Sequence, residues 1–342
     1  MGREHHPQAA DDRRHLCQAG GPRDQPAHGA AGVDHHRAHR AVHHRVARTR
    51  AGGSMTPAGC RGVAALVTCL LGLTLAARVG AQTAEELEAL PPGDLFRPLL
   101  ADPKQPQFFA AYLWEKSAQT SDQVASVGLG ENIGLVRGRG GWWQVSVAAG
   151  VFSQFDMERP SYDLINTDFI IGFPFTWRRG VFSGRARVYH QSSHLGDEYL
   201  LRVHPERVNL SFEAAELIVA RDFGTLRGYA GGEYLVRHEP SDLKPGVLHA
   251  GLEWRPGTPL LHLGRLGSGR LVAALDAKAP QEREWEVGWG ARAGMEFSPG
   301  APGIEASRRW SIQIHAYRGP TPYGQFYLEN VSSIGVGLHF SL

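Results

Sequence analysis

Cysteine is nearly missing. The chain of 342 residues has three, Cys17, Cys60 and Cys69, and none after residue 69. Residues 82–342 therefore hold no disulfide framework, no thiolate metal site and no cysteine nucleophile. Long apolar runs are equally scarce. Only residues 63–77 approach spanning length, which excludes a polytopic helical membrane protein. No Gly-rich phosphate loop opens a helix, so nucleotide chemistry has no support. Charged residues make up only 20% of the chain, and 42% are hydrophobic, which excludes a disordered polymer. Glycine, in contrast, is plentiful. The 42 glycines follow no G-x-y repeat, so they fit turns and crowded strands rather than collagen or a helical bundle.

The basic residues are unevenly placed. Residues 1–54 carry nine arginines against five acids, with nine of the 17 histidines. Residues 82–342 carry 25 basic against 29 acidic side chains, and among the basic ones arginine far outnumbers lysine. The body is thus not basic, and nucleic acid is excluded as a partner. Residues 1–54 show no apolar periodicity and read as a disordered tail or a spurious extension ahead of Met55. Residues 55–81 read as a signal peptide. Arg61 is its basic start, residues 63–77 its apolar stretch, and Val79, Gly80 and Ala81 its small residues before the cut. Residues 82–107 form a periplasmic N-terminal segment. Within it residues 83–90 suit a short helix capped by Thr83, and the Pro-rich remainder suits a linker or plug.

From residue 108 onward the pattern has period two. Residues 284–297 put Trp285, Val287, Trp289, Ala291, Ala293, Met295 and Phe297 on one face and Glu284, Glu286, Arg292 and Glu296 on the other. Residues 167–177 repeat the device with Phe169, Ile171, Phe173, Phe175 and Trp177. Such runs exceed the five or six residues usual in a soluble sheet and match strands that cross a bilayer. The last ten residues, SIGVGLHFSL, alternate to the end and need a partner strand. Twelve strands are expected, starting near residues 108, 124, 142, 166, 181, 208, 225, 247, 270, 284, 310 and 332. The fold class is all-β, a transmembrane antiparallel β-barrel of about twelve strands over residues 108–342, with both termini on the periplasmic side. Tight turns at 137–141, 178–180 and 222–224 suit that side, while the long connections 256–269 and 298–309 do not. A soluble β-sandwich is the alternative fold. The inward charges Arg185, Arg187, Arg227, Glu233, Glu253, Glu286, Arg292 and Glu296 read as an ion-pair network filling a narrow lumen.

One segment could carry chemistry. Residues 185–198, RARVYHQSSHLGDE, place His190 and Ser192 on the apolar, lipid-facing side of a strand at outer-leaflet depth. A histidine two residues from a serine on one strand face is the arrangement of a base and a hydroxyl nucleophile. The candidate catalytic residues are Ser192, His190 and, as the imidazole's orienter, Asn209, with Glu213, Asp197 and Glu198 as alternatives. This His-x-Ser pair resembles the sites of outer-membrane phospholipase A and of the lipid A deacylase barrel. The Asn-Gly that follows the serine in the phospholipase is Ser193-His194 here. The stretches FRPLLADPKQPQF and YHQSSHLGDE, with the barrel-type ending, resemble an uncharacterised bacterial family, domain of unknown function 1207. That resemblance implies an exported barrel with no assigned activity.

The reading is an outer-membrane barrel of structural, lipopolysaccharide-binding or narrow-pore role, with an outer-leaflet lipid esterase as the alternative. Outer-membrane lipid or lipopolysaccharide and the barrel-insertion machinery, through the last strand, are its expected partners. No cofactor is implied. Ca²⁺ at His194, Asp197, Glu198 and His204 is conceivable, but no ligand spacing picks those residues out.

Overall fold

A computed structural model describes residues 87–118, 120–205, 207–264, 267–298 and 309–341. The expected extension, signal peptide and Thr83 cap, and all three cysteines, lie outside these residues.

Twelve long strands close into one ring. In chain order the strands are β1 (Leu87–Ala89), β2 (Phe108–Lys116), β3 (Gln123–Gly138), β4 (Trp143–Asp156), β5 (Leu164–Arg179), β6 (Phe182–Leu195), β7 (Leu210–Phe223), β8 (Leu226–Glu239), β9 (Gly246–Trp254), β10 (Leu261–His262), β11 (Ser268–Pro280), β12 (Gly288–Ser298), β13 (Arg309–Pro320) and β14 (Asn330–Ser341). Each long strand pairs antiparallel with the next, and β14 pairs with β2 from Phe340↔Phe108 to Ser332↔Lys116, which shuts the ring. The last strand's need for a partner is met by the first barrel strand, leaving no open edge in the bilayer. One closed sheet replaces the two layers that a sandwich would need.

The short strands and one helix refine the expected plan. Residues 87–89 are β1, paired with Val136–Gly138 of β3, and not part of a helix. The long connection after β9 contains β10, which folds back on Ser268 and Gly269 as a small hairpin. Most of the other long connection, 299–308, lies outside the described residues. After β6 the chain forms α1 (Asp197–Val203). The strand expected from residue 284 begins only at Gly288. Glu284 and Trp285 take positive φ (52° and 63°), and the bond Trp285 N–H to Pro280 O (3.1 Å) closes a turn there. The alternation of 284–287 continues the strand pattern through a loop. Glu286 accordingly lies outside the lumen, beside Arg283 and Asn330.

The near end is where β2 begins and β14 finishes, and the far end is its opposite. Three near-end hairpins, after β3, β5 and β7, are tight, while the connections after β9 and β12 at the same end are long. Gly180 and Gly224, at φ 57° and 67°, occupy two-residue loops that a side chain at positive φ would strain.

The wall inverts a soluble core. Outward positions of β5 are Phe169, Ile171, Phe173 and Phe175, and those of β14 are Ile334, Val336, Leu338 and Phe340, all exposed. Inward positions include Gln144, Asn166, Asp168, Glu253 and Arg227, each buried to 1% exposure or less. Apolar outside and polar inside is the pattern of a transmembrane barrel.

The lumen is filled by the chain's own N-terminal segment. Residues 91–107 rise from the near end to mid-barrel and return to β2. Wall arginines hold their backbone: Arg178 Nε donates to Leu95 O (2.9 Å), Arg227 Nη1 to Arg97 O (2.9 Å) and Arg292 Nη1 to Leu100 O (2.9 Å). The same arginines reach acids, Arg178 to Asp222 (2.8 Å) and Arg227 to Glu253 (3.0 Å). A guanidinium has five donors in a fixed fork and bridges a carboxylate and a carbonyl at once, which an ammonium does less well. That accounts for arginine's excess over lysine in the body. The remaining network joins Arg185 and Arg187 to Glu216 (2.7 and 2.6 Å) and Lys278 to Asp102 and Glu233 (3.4 and 3.2 Å). Arg255 and Arg270 flank Glu296 at 3.7 and 3.8 Å.

The far end is covered too. The β13–β14 connection carries Tyr323, Gly324 and Phe326 inward, and Phe326 packs with Val124, Ile165 and Tyr199. Asp168 ties this cover to the segment's tip. It accepts bonds from Lys104 Nζ, Ser193 Oγ, Asn166 Nδ2 (3.1 Å) and Gly324 N–H (3.1 Å).

Candidate functional site on the outer wall

His190 and Ser192 sit on β6, five and three residues before its far end, and both belong to its outward face. The pleat sends Tyr189, Gln191 and Ser193 into the lumen and leaves His190 and Ser192 half-buried on the wall. Their Cα atoms are two residues apart, roughly 7 Å along the strand.

The neighbouring strands complete the surroundings. On β7, Glu213 is the direct cross-strand partner of His190, and its Oε1 lies 3.2 Å from His190 Nδ1. Arg237 of β8 lies opposite Glu213 in register. Ser192 has Phe169 on one side and Ser211 on the other. Among the described residues no hydrogen bond joins Ser192 to His190. With Nδ1 bonded to the carboxylate, Nε2 is left free to accept a proton. Both side chains of the His–Glu pair are about 40% exposed on the outer wall, with Ser192, Ser211 and Arg237 as outward neighbours.

A shallow apolar groove of about 470 Å³ runs up to His190 across β3, β4 and β5. Ala149 leaves its floor low, and Leu129, Val151, Phe169 and Ile171 form its sides. The groove is wide enough for hydrocarbon and offers few polar partners.

The structure places Glu213, rather than Asn209, beside the imidazole. Asn209 precedes β7 and lies exposed at the rim, outside the ladder. Asp197 and Glu198 open α1 as exposed residues, and His204 caps its end. His194 stacks edge-on against Phe169 (5.8 Å). Among the described residues, no group of three or more His, Cys, Asp or Glu is placed to hold a metal ion. The hub at Asp168 escapes sequence reasoning, because its partners Lys104, Ser193 and Gly324 come from three distant stretches.

A profile of the family described as Protein of unknown function (DUF1207) matches residues 74–342. The chain belongs to this family. No curated protein matches it. Among solved structures it is similar to outer membrane phospholipase A from Escherichia coli, at 14% identity over 72% of this chain and 94% of that one, with a TM-score of 0.47. It is also similar to a Salmonella typhi outer membrane phospholipase dimer with bound calcium (12% identity, 69% and 92% covered, TM-score 0.48). A third is the KdgM porin (7% identity, 67% and 97% covered, TM-score 0.37). Likenesses this remote carry no residue roles. The family's match covers the whole barrel, and within it the wall site and the filled lumen are features of this chain.

Proposed function

We propose that this family member is exported through a cleaved leader ending near Ala81, spans the outer membrane, and hydrolyses an acyl ester of an outer-leaflet lipid. The observation that carries the reading is the His190–Glu213 pair on the lipid-facing wall. An ionisable pair is costly against acyl chains and is kept there for function more often than for stability. The near end faces the periplasm and the far end the exterior, so the pair lies at outer-leaflet depth.

In this reading each side chain has one role. Ser192 Oγ attacks the ester carbonyl carbon, and its proton passes to His190 Nε2. Glu213 holds Nδ1 and stabilises the imidazolium. The carbon–oxygen ester bond breaks, the imidazolium protonates the departing alcohol, and an acyl-serine remains. Water, deprotonated by the same imidazole, then releases a fatty acid and restores the serine. The groove beside His190 suits the acyl chain of such an ester. The filled lumen weighs against a solute pore.

Purified protein in detergent or vesicles is incubated with phospholipid or lipopolysaccharide, and free fatty acid is measured. Release that disappears in Ser192→Ala supports the reading. Release undiminished in that variant rejects Ser192 as nucleophile, and no release by the parent protein rejects the hydrolase reading.

A further inference from the structure

The near end of the outer wall carries two arginines with no ion-pair partner among the described residues. Arg179 ends β5, Phe182 starts β6 and Arg221 lies near the end of β7. The register places them in one cross-strand row, Arg179↔Phe182↔Arg221. All three are exposed and share the outward face. The Arg179 guanidinium lies 4.4 Å from the Trp142 ring centroid. That of Arg221 lies 5.3 Å from Phe182 and 4.7 Å from Phe223. Neither arginine has an ion-pair partner among the described residues. The nearest acid in sequence, Asp222, is taken by Arg97 and Arg178 on the inward side.

Each of these features bears on a ligand. A guanidinium flat on an aromatic face turns its N–H edge away from the ring, so its donors point along the surface. Strands are spaced about 4.8 Å apart, so the two arginines stand about 10 Å apart with one aromatic ring between them. Two flexible forks at that separation can converge on a single tetrahedral anion, while the ring and the apolar wall above it, Phe175 and Val219, face hydrocarbon. An anion with hydrocarbon directly attached, presented at the edge of an apolar belt, is a lipid phosphate.

The geometry points to a binding site for the phosphodiester headgroup of an anionic phospholipid, formed by Arg179 and Arg221 on either side of Phe182. Its ligand belongs to the leaflet at the near end, so it is distinct from the wall site at His190 and independent of any hydrolysis there. Trp142 and Phe223 hold the guanidinium planes in place, and the acyl chains run up the wall between β5 and β7.

The test uses the full chain purified into mixed micelles of equal phosphatidylglycerol and phosphatidylcholine, with lipids that stay bound counted by native mass spectrometry. The parent protein is expected to retain phosphatidylglycerol in preference to phosphatidylcholine. Each arginine near a charged lipid surface contributes about fivefold, so the Arg179→Gln, Arg221→Gln double variant should lose about 25-fold of that preference. A second double variant, Arg207→Gln with Arg318→Gln, removes two exposed arginines at the other end and should keep the preference. Folding of each variant is checked by the faster migration of an unheated barrel on a denaturing gel. No preference in the parent protein, an undiminished preference in the Arg179/Arg221 variant, or equal losses in both double variants would overturn the assignment.

Discussion

Replacing Asp168 by alanine tests what holds the lumen's filling in place. Asp168 is fully buried and receives Lys104 from the segment's tip, Ser193 and Asn166 from the wall, and the Gly324 amide from the far-end cover. Its removal leaves the Lys104 ammonium, itself only 11% exposed, without a carboxylate. Breaking a buried pair from one side costs about 3–5 kcal/mol. Lys104 also lies 4.9 Å and 4.3 Å from the Phe152 and Tyr323 ring centroids, which return roughly 0.5–2 kcal/mol. The net loss is then about 1–4.5 kcal/mol, a rise of roughly 5- to 2,000-fold in the population with the tip released. Hydrogen–deuterium exchange is the assay. Amides of residues 99–107 and 323–326 should exchange faster by that factor, with those of β7 unchanged. Adding Lys104→Met should restore part of the protection, because the orphaned charge is gone. Unchanged exchange at the tip, or faster exchange spread evenly around the ring, would refute the account.

Other outcomes follow from named contacts. In Gly335→Val the new Cβ meets Tyr112 O at 2.0 Å, so the β14–β2 seam should not close and the fast-migrating folded band should disappear. Glu253→Gln removes the charge that pairs with buried Arg227 and is expected to cost about 3 kcal/mol in a reversible unfolding titration. Glu213→Gln should lower fatty-acid release far more than it lowers lipid binding, while Asn209→Ala should leave release unchanged. Lys244 beside Glu284 in the far-end loops holds that carboxyl below its ordinary value. Its deprotonated form is favoured at neutral pH and the advantage fades as acid protonates it. Lys244→Ala should therefore move the Glu284 titration, followed by NMR, upward.

The wall was legible because its signal is local. Alternation over residues 167–177 or 333–342 needs only a strand and two unlike solvents on its faces, and twelve such runs close a ring. Loop geometry was less legible. Residues 284–287 alternate like their neighbours, and only the positive φ at Glu284 and Trp285 takes them out of β12. At the candidate site, strand phase was enough to put His190 and Ser192 outward together. The choice of Glu213 over Asn209 depends on the β6–β7 register, which a sequence does not print. The interior was least legible. A Pro-rich stretch has no periodicity, so nothing local says that residues 91–107 turn back up through the ring, or that Lys104 meets Asp168 across 64 residues.

That returning stretch also changes what the interior is made of. With residues 91–107 elsewhere, the donors of Arg178, Arg227 and Arg292 that now meet carbonyls would be answered by water filling a polar ring. Seating the stretch exchanges that mobile solvent for fixed carbonyls and gives the cylinder an axle.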